Sequence, residues 1–153
     1  YRKGGSLPNL WLGVTAENQQ RADERIPILL QIPAAKRFVS IEPMLGKINL
    51  ISDIGGTLWI GGQRGCSGKH RGIGTPDCPI TLHHHHDHRC KMGLDWVIVG
   101  GETGHNARPM NNEWATLIQQ QCESAGVPFF YKSSGGRNKI SALNGVEYKE
   151  FPK

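Results

Sequence analysis

Four apolar runs recur along the chain, and each has the length and composition of a β-strand. They cover residues 10–15 (LWLGVT), 37–41 (RFVSI), 95–100 (DWVIVG) and 128–132 (PFFYK). Apolar residues follow one another in these runs instead of alternating with polar ones, which is typical of parallel strands buried on both faces. The pattern therefore predicts four buried strands.

Helical spacing fills two of the gaps between these runs. The apolar stripe of residues 112–125 consists of Trp114, Leu117, Ile118, Cys122 and Ala125. Asn111 or Asn112 can cap this helix, and Gly126 ends it. Residues 19–31 have the same spacing with Pro27 inside it, which predicts two short helices or one with a break. Alternating strands and helices predict an α/β fold with a parallel sheet.

Polar residues stand where the predicted strands end. These are Glu17 and Asn18 after the first run, Glu42 after the second, Glu102 after the third and Lys132 in the last. Because ligands bind at the carboxyl ends of parallel strands, we expect these five residues to lie on the substrate side. The alternative is that they only terminate strands.

The length of 153 residues fits one domain. Four strand units are half of a closed eight-stranded barrel, which takes about 250 residues. We therefore expect a single α/β domain over residues 1–153 that forms part of a TIM-type barrel. Such a half-barrel has two exposed sheet edges, which leaves three possibilities. The chain is a fragment, it pairs with a missing amino-terminal half or a second copy, or it is a small open sheet.

A segment at residues 63–92 is rich in cysteine and histidine. It holds Cys66, Cys78 and Cys90 and six of the seven histidines. Zinc binds three cysteines and one histidine in a closed tetrahedral site, and a segment this rich in Gly and Pro lacks a core of its own. We predict a structural zinc site within this insertion, with His86 or His70 as the fourth ligand.

Other interpretations of these residues remain open. The three cysteines are free thiols or include a disulfide, although nothing in the sequence indicates secretion. A catalytic zinc would use Asp87 or Glu102 as its base, but three thiolates make the ion a poor Lewis acid. Cys122 lies on the apolar stripe of its helix and is expected to be a buried packing residue.

The net charge is +5, a mild excess that permits a phosphate or nucleic-acid partner. The insertion carries five of the basic residues: Arg64, Lys69, Arg71, Arg89 and Lys91. No apolar run reaches the roughly 18 residues of a membrane span. Without a signal peptide in the sequence, we expect a cytoplasmic protein that does not bind membranes.

Several strings in combination resemble a phage-associated protein family of unknown function. They are residues 7–18 (LPNLWLGVTAEN), 37–46 (RFVSIEPMLG), 94–102 (LDWVIVGGE), 107–110 (ARPM) and 126–130 (GVPFF). That family carries a three-cysteine motif and is similar to radical-SAM barrels, and the Cys/His insertion is similar to one in its members. The resemblance implies an amino-terminal half that holds a [4Fe-4S] cluster and helps to bind S-adenosylmethionine.

This sequence has no Cys-x3-Cys-x2-Cys run. The resemblance therefore implies the carboxyl-terminal half of such a protein, which is not catalytic alone, in a bacterial or phage-infected cell. Two alternatives come from other classes. One is a stand-alone zinc module that contacts nucleic acid through its basic insertion, and the other is a metal-assisted hydrolase, which the thiolate count disfavours.

Overall fold

The structure is a computed structural model that describes residues 7–51, 59–60, 93–137 and 139–153. Its elements in chain order are β1 Trp11–Thr15, α1 Gln19–Leu30, β2 Lys36–Ile41, β3 Trp96–Val99, α2 Asn112–Ala125 and β4 Phe129–Tyr131. All four predicted strands and the predicted helix at 112–125 are confirmed, with strand ends shifted by at most one residue.

The four strands form one parallel sheet in the order β1-β2-β3-β4. Val14, Val39, Val97 and Phe129 lie side by side across it. A doubly wound sheet reverses its strand order at a switch point, whereas this order is sequential throughout, as in the wall of a barrel. The predicted mixed α/β fold with a parallel sheet is confirmed, but the described strands do not close into a barrel.

Both helices pack on the same face of the sheet. The core cluster contains Val39 and Val99 from the sheet together with Ile26 of α1 and Ile118 and Cys122 of α2. Each large side chain buried in such a core contributes roughly 1.5–3 kcal/mol of transfer free energy. Cys122 is completely buried, which confirms its predicted packing role.

No helix among the described residues covers the other face of the sheet. This uncovered face carries Trp11, Phe38, Trp96 and Phe130, of which Trp11 is 43% exposed and the other three are half-buried. The prediction of strands buried on both faces is therefore wrong for the described chain. Continuous apolar runs arise here because both faces carry apolar side chains: mostly aromatic ones on the uncovered face, and aliphatic ones together with Phe129 and Tyr131 on the face that packs against the helices.

Side-chain caps fix where each helix begins. The Oδ1 of Asn111 accepts from the N–H of Glu113 at 2.8 Å, and Gly126 ends α2 in the left-handed conformation at φ 64°. The helix α1 is capped by Asn18, begins at Gln19 and runs through Pro27 without a break. The predicted interruption is therefore wrong: Pro27 lies in the last turn, and its missing N–H leaves only the carbonyl of Asp23, four residues earlier, without a helical donor.

The chain's own carboxyl-terminal residues seal the outer edge of β4. The N–H of Tyr131 donates to the carbonyl of Tyr148 at 2.9 Å, and the N–H of Glu150 donates to the carbonyl of Phe129 at 3.3 Å. The Glu150 carboxylate accepts from the N–H of Phe129, and the Lys149 ammonium donates to the carbonyl of Tyr131. Every outward backbone group of Phe129 and Tyr131 is thus bonded, so no further strand can pair with β4.

The same tail crosses the amino end of the uncovered face. The rings of Trp96 and Phe151 lie 5.1 Å apart, and the Trp96 Nε1–H donates to the carbonyl of Glu150 at 2.8 Å. Lys149 Nζ lies 4.7 Å from the ring centre of Phe130. Aromatic side chains therefore fill the amino end of this face, and its carboxyl end is left for polar groups.

The predicted insertion at 63–92 lies outside the described residues, together with the proposed zinc ligands Cys66, His70, Cys78, His86 and Cys90 and its five basic side chains. None of the helices that the structure describes is both long and apolar enough to cross a bilayer.

Candidate functional site

Two of the five predicted substrate-side residues meet at the carboxyl edge of the sheet. Lys132 follows β4 directly, Glu42 follows β2, and the Lys132 Nζ lies 3.2 Å from the Glu42 Oε1. The Glu42 side chain is 22% exposed, whereas that of Lys132 is 66% exposed. The pair thus joins a partly buried carboxylate to an ammonium group that is open to solvent.

This ion pair spans the end of β3, because β2 and β4 are not neighbours in the sheet. Gly100 follows β3 and lies beneath the Glu42 carboxylate. A Cβ at Gly100 would stand 2.7 Å from the Glu42 Oε1. The absence of a side chain at this position is what leaves room for the carboxylate.

A hydroxyl and the backbone orient Glu42. Ser40 Oγ donates to the Glu42 Oε2 at 2.9 Å, so each carboxylate oxygen has a donor. The Glu42–Pro43 peptide bond is cis, and the N–H of Met44 donates to the carbonyl of Gly100 at 2.9 Å. These contacts hold the segment after β2 against the end of β3.

Glu102 makes a separate ion pair within the loop that follows β3. Arg108 donates to it from Nε at 2.7 Å, from Nη2 at 3.1 Å and from its backbone N–H at 3.0 Å. Hydrogen bonds from the Arg108 guanidinium and backbone lower the pKa of the Glu102 carboxyl. Glu102 therefore fixes its own loop and is not joined to the Glu42–Lys132 pair.

Glu17 and Asn18 also have local partners. The Nη1 of Arg25 lies 3.3 Å from the Glu17 Oε2 and donates to the carbonyl of Thr15 at 2.6 Å. Asn18 Oδ1 accepts from the N–H of Arg21 at 3.1 Å and so caps α1. These two residues stand at the predicted edge, but the side chain of Asn18 caps α1 and that of Glu17 pairs with Arg25 within α1.

Glycines bring the ends of β3 and β4 into close contact beside the ion pair. The N–H of Gly101 donates to the carbonyl of Ser133 at 2.9 Å, and the N–H of Gly136 donates to that of Glu102 at 2.7 Å. A Cβ at Gly101 would stand 2.2 Å from the carbonyl oxygen of Ser134. The two loops thus form one joined surface.

Within the described part of the chain, no three His, Cys, Asp or Glu side chains group closely enough to hold a metal ion. Cys122 is the described cysteine, and burial raises the pKa of its thiol to about 12. Because metals bind the thiolate, this residue does not suit a metal or cluster site.

The sequence predicted Glu42 and Lys132 but missed their supports. Ser40 lies two residues before Glu42, and the two-residue period of a strand would have placed both side chains on one face. Two further features could not be predicted: the need for glycine at position 100 and the Glu102–Arg108 pair. Both depend on how loops approach each other in space, and the spacing of residues along the sequence does not contain that information.

These features define a class of protein: an α/β domain with a sequential parallel sheet, helices on one face and a polar site at the carboxyl edge. The chain belongs to the family described as "Protein of unknown function (DUF5131)", whose family model matches residues 2–152. No curated protein and no solved structure matches it. The resemblance found in the sequence is thus confirmed as membership of a family of unknown function.

Proposed function

We propose that this chain is the carboxyl-terminal part of a phage-associated, radical-SAM-like barrel protein whose substrate binds at the carboxyl edge of β1–β4. The uncovered face of the sheet is then the inner wall of the barrel. The observation that carries the proposal is the Glu42–Lys132 ion pair at the polar end of this face. The protein acts in the cytoplasm of a bacterial or phage-infected cell.

The strand order and the position of the helices support the proposal that this sheet is part of a barrel wall. Strands that follow one another in sequence, with both helices on one side, leave the second side to face the interior of a barrel. The sealed edge of β4 supports an open barrel, because a closed one needs a strand where residues 148–150 lie. The amino end is filled by aromatic rings, so a substrate has room only at the carboxyl end.

In this proposal Glu42 and Lys132 contact the substrate. The exposed Lys132 ammonium donates to an acceptor on the substrate, while the Glu42 carboxylate, held by Ser40, accepts from a donor. Glu17, Asn18 and Glu102 shape the loops around them through their own partners.

The chain's own cysteines do not fit an iron–sulfur cluster. Cys66, Cys78 and Cys90 are each separated by 11 residues, and Cys122 is buried in the core. Cluster ligands and the binding of S-adenosylmethionine therefore belong, in this proposal, to an amino-terminal half that precedes β1. The present chain is not catalytic alone.

A structural zinc ion in the insertion is a separate proposal that rests on the sequence. Cys66, Cys78 and Cys90 supply three thiolates, and His86 or His70 supplies an imidazole. This donor set fits a closed tetrahedral zinc site, which orders a segment that has few large apolar residues.

The alternative function is a stand-alone zinc module that contacts nucleic acid through the insertion. The observation that favours it is the group of five basic residues there: Arg64, Lys69, Arg71, Arg89 and Lys91. Such binding weakens with salt in proportion to the number of phosphates neutralised. An absence of binding to DNA or RNA at low ionic strength would end this alternative.

The coding sequence upstream of Tyr1 tests the leading proposal. We expect a Cys-x3-Cys-x2-Cys run either in the same reading frame or in an adjacent gene. If neither contains such a run, the proposal loses its radical chemistry and the chain is an independent module.

A further inference from the structure

We propose that the loop after β4 binds a phosphate group of an anionic ligand. This β4 loop consists of residues 132–137 and 139–141, and its charged side chains are Lys132, Arg137 and Lys139. The inference goes beyond the proposed function, because it requires neither an iron–sulfur cluster nor the insertion.

All charged side chains of the β4 loop are basic. Between Lys132 and Val146 the sequence contains three basic residues and no Asp or Glu. Lys132 is paired with Glu42, but neither Arg137 nor Lys139 forms an ion pair with any residue that the structure describes. Both residues are exposed, so two cationic groups remain available to an anion.

Backbone hydrogen bonds give the loop a defined shape. The N–H of Ser134 donates to the carbonyl of Ile140 at 2.9 Å, and the N–H of Ile140 donates to the Ser134 Oγ at 3.3 Å. Gly135 and Gly136 have φ angles of 76° and 69°, which let the chain turn sharply before Arg137. The two basic side chains are therefore carried by a closed turn and not by an extended tail.

The surroundings place the loop beside the polar edge of the sheet. A parallel bridge joins Gly136 to Thr103, next to Glu102, whose charge is already balanced by Arg108. Among the residues that the structure describes, the N–H of Arg137 has no acceptor. In barrels, the loops after two neighbouring strands frequently contribute to a phosphate site at the carboxyl face.

Phosphate fits this loop better than a carboxylate does. A guanidinium binds two oxygens of either group through parallel N–H groups, but a phosphate monoester also offers a third oxygen and a second negative charge to an ammonium. The ligand is either a small phosphorylated molecule or the backbone of a nucleic acid. These two sources share the same chemistry and are separated by the experiment.

The test uses the purified chain with inorganic phosphate and, separately, a single-stranded DNA oligonucleotide labelled with a fluorophore. Phosphate is titrated while the backbone amide signals are followed by NMR, and DNA binding is followed by fluorescence anisotropy at several salt concentrations. We expect saturable phosphate shifts at Gly136, Arg137 and Lys139.

The double variant R137Q/K139Q is compared with K47Q/K153Q, which removes two exposed positive charges elsewhere. We expect the first to weaken phosphate binding at least about tenfold and the second less than about twofold. For DNA, the logarithm of the binding constant is plotted against the logarithm of the salt concentration. If the slope of this plot is about 1.4 smaller in magnitude for R137Q/K139Q than for the unchanged protein, the phosphate that binds here belongs to a nucleic acid. Phosphate binding without DNA binding identifies a small phosphorylated ligand.

Two results would overturn the proposal. One is the absence of saturable phosphate shifts in the loop. The other is equal weakening by both double variants, which would show a response to net charge and not to a site. Amide spectra of both variants verify that they are folded, so weaker binding is not mistaken for unfolding.

Discussion

Glu42 and Lys132 form an ion pair although β3 lies between the strands that carry them. Their charged atoms are 3.2 Å apart, and the space that the Glu42 carboxylate occupies is space that a side chain at Gly100 would fill. The pair therefore depends on a glycine that belongs to neither strand. This arrangement places opposite charges over the centre of the carboxyl edge.

Substituting Gly100 by alanine should destabilise the protein. The new Cβ would stand 2.7 Å from the Glu42 Oε1, so the carboxylate must move away from Lys132. Because that carboxylate is the flexible end of a side chain and its partner Lys132 is exposed, we expect a loss of at most about 1 kcal/mol in the free energy of unfolding, measured by urea denaturation. The matched control is Gly46→Ala, because a Cβ there would meet only the Asn18 Cβ at 3.7 Å. Equal stability of the two variants would contradict this account of the edge.

The two edges of the sheet should differ in hydrogen exchange. Outward amides of Phe129 and Tyr131 donate to Glu150 and Tyr148, whereas those of Trp11 and Gly13 have no acceptor among the described residues. We expect the β4 amides to exchange at least about tenfold more slowly than the β1 pair in amide exchange measured by NMR.

A substitution at Glu150 tests whether residues 148–150 protect the edge of β4 directly or only through the stability of the whole protein. Glu150→Ala removes the acceptor of the Phe129 N–H, which should speed exchange at that amide and cost about 1–2 kcal/mol of stability. Glu147→Ala is the control, since the exposed Glu147 accepts a hydrogen bond from the Ser141 Oγ and takes no part in the contacts with β4. Unchanged protection of Phe129 in Glu150→Ala would refute the role of the Glu150 carboxylate.

The Glu102–Arg108 pair should make the loop after β3 sensitive to acid. Hydrogen bonds from Arg108 lower the pKa of Glu102 below its ordinary value of 4.5. The pair therefore contributes its stability above that value and loses it as the pH falls through the lowered pKa. NMR titration of the Glu102 carboxyl carbon should show a midpoint below 4.5.

The variant Arg108→Ala tests whether the Arg108 guanidinium is what lowers the pKa of Glu102. Without the guanidinium, the Glu102 midpoint should rise toward 4.5. If the midpoint of Glu102 is the same in both proteins, Arg108 does not hold the carboxylate.

Much of the fold follows from the apolar runs. Each of the four runs became a strand because it is rich in β-branched and aromatic residues, and α2 begins and ends at the capping residues that the sequence offers. The face that stays uncovered could not be predicted, because Phe38 and Val39 are both apolar and only their packing separates them.

The candidate site was predictable in part. Glu42 and Lys132 were found because they end strands of one parallel sheet. The seal at residues 148–150 was missed, since Tyr148, Lys149 and Glu150 carry no periodic pattern and act through backbone and side-chain hydrogen bonds. Long-range pairing of this kind leaves no local signal in a sequence.

The zinc proposal predicts the metal content of the purified protein. Metal analysis by mass spectrometry should give about one zinc per chain, and Cys78→Ser or Cys90→Ser should lower it, because each removes a thiolate. Cys122→Ser is the control, since Cys122 is buried in the core. Less than about 0.3 zinc per chain after purification without chelator would remove the zinc proposal. If the zinc content is unchanged in both Cys78→Ser and Cys90→Ser, these cysteines are not the zinc ligands.

The central claim is that these strands are the wall of a barrel whose reactive half precedes them. The most direct measurement is the iron content and S-adenosylmethionine cleavage of the complete gene product, or of this chain with the adjacent gene's product, after anaerobic reconstitution. The account predicts about four iron atoms per protein together with cleavage, and neither for residues 1–153 alone. A reconstituted protein without iron or cleavage would contradict it.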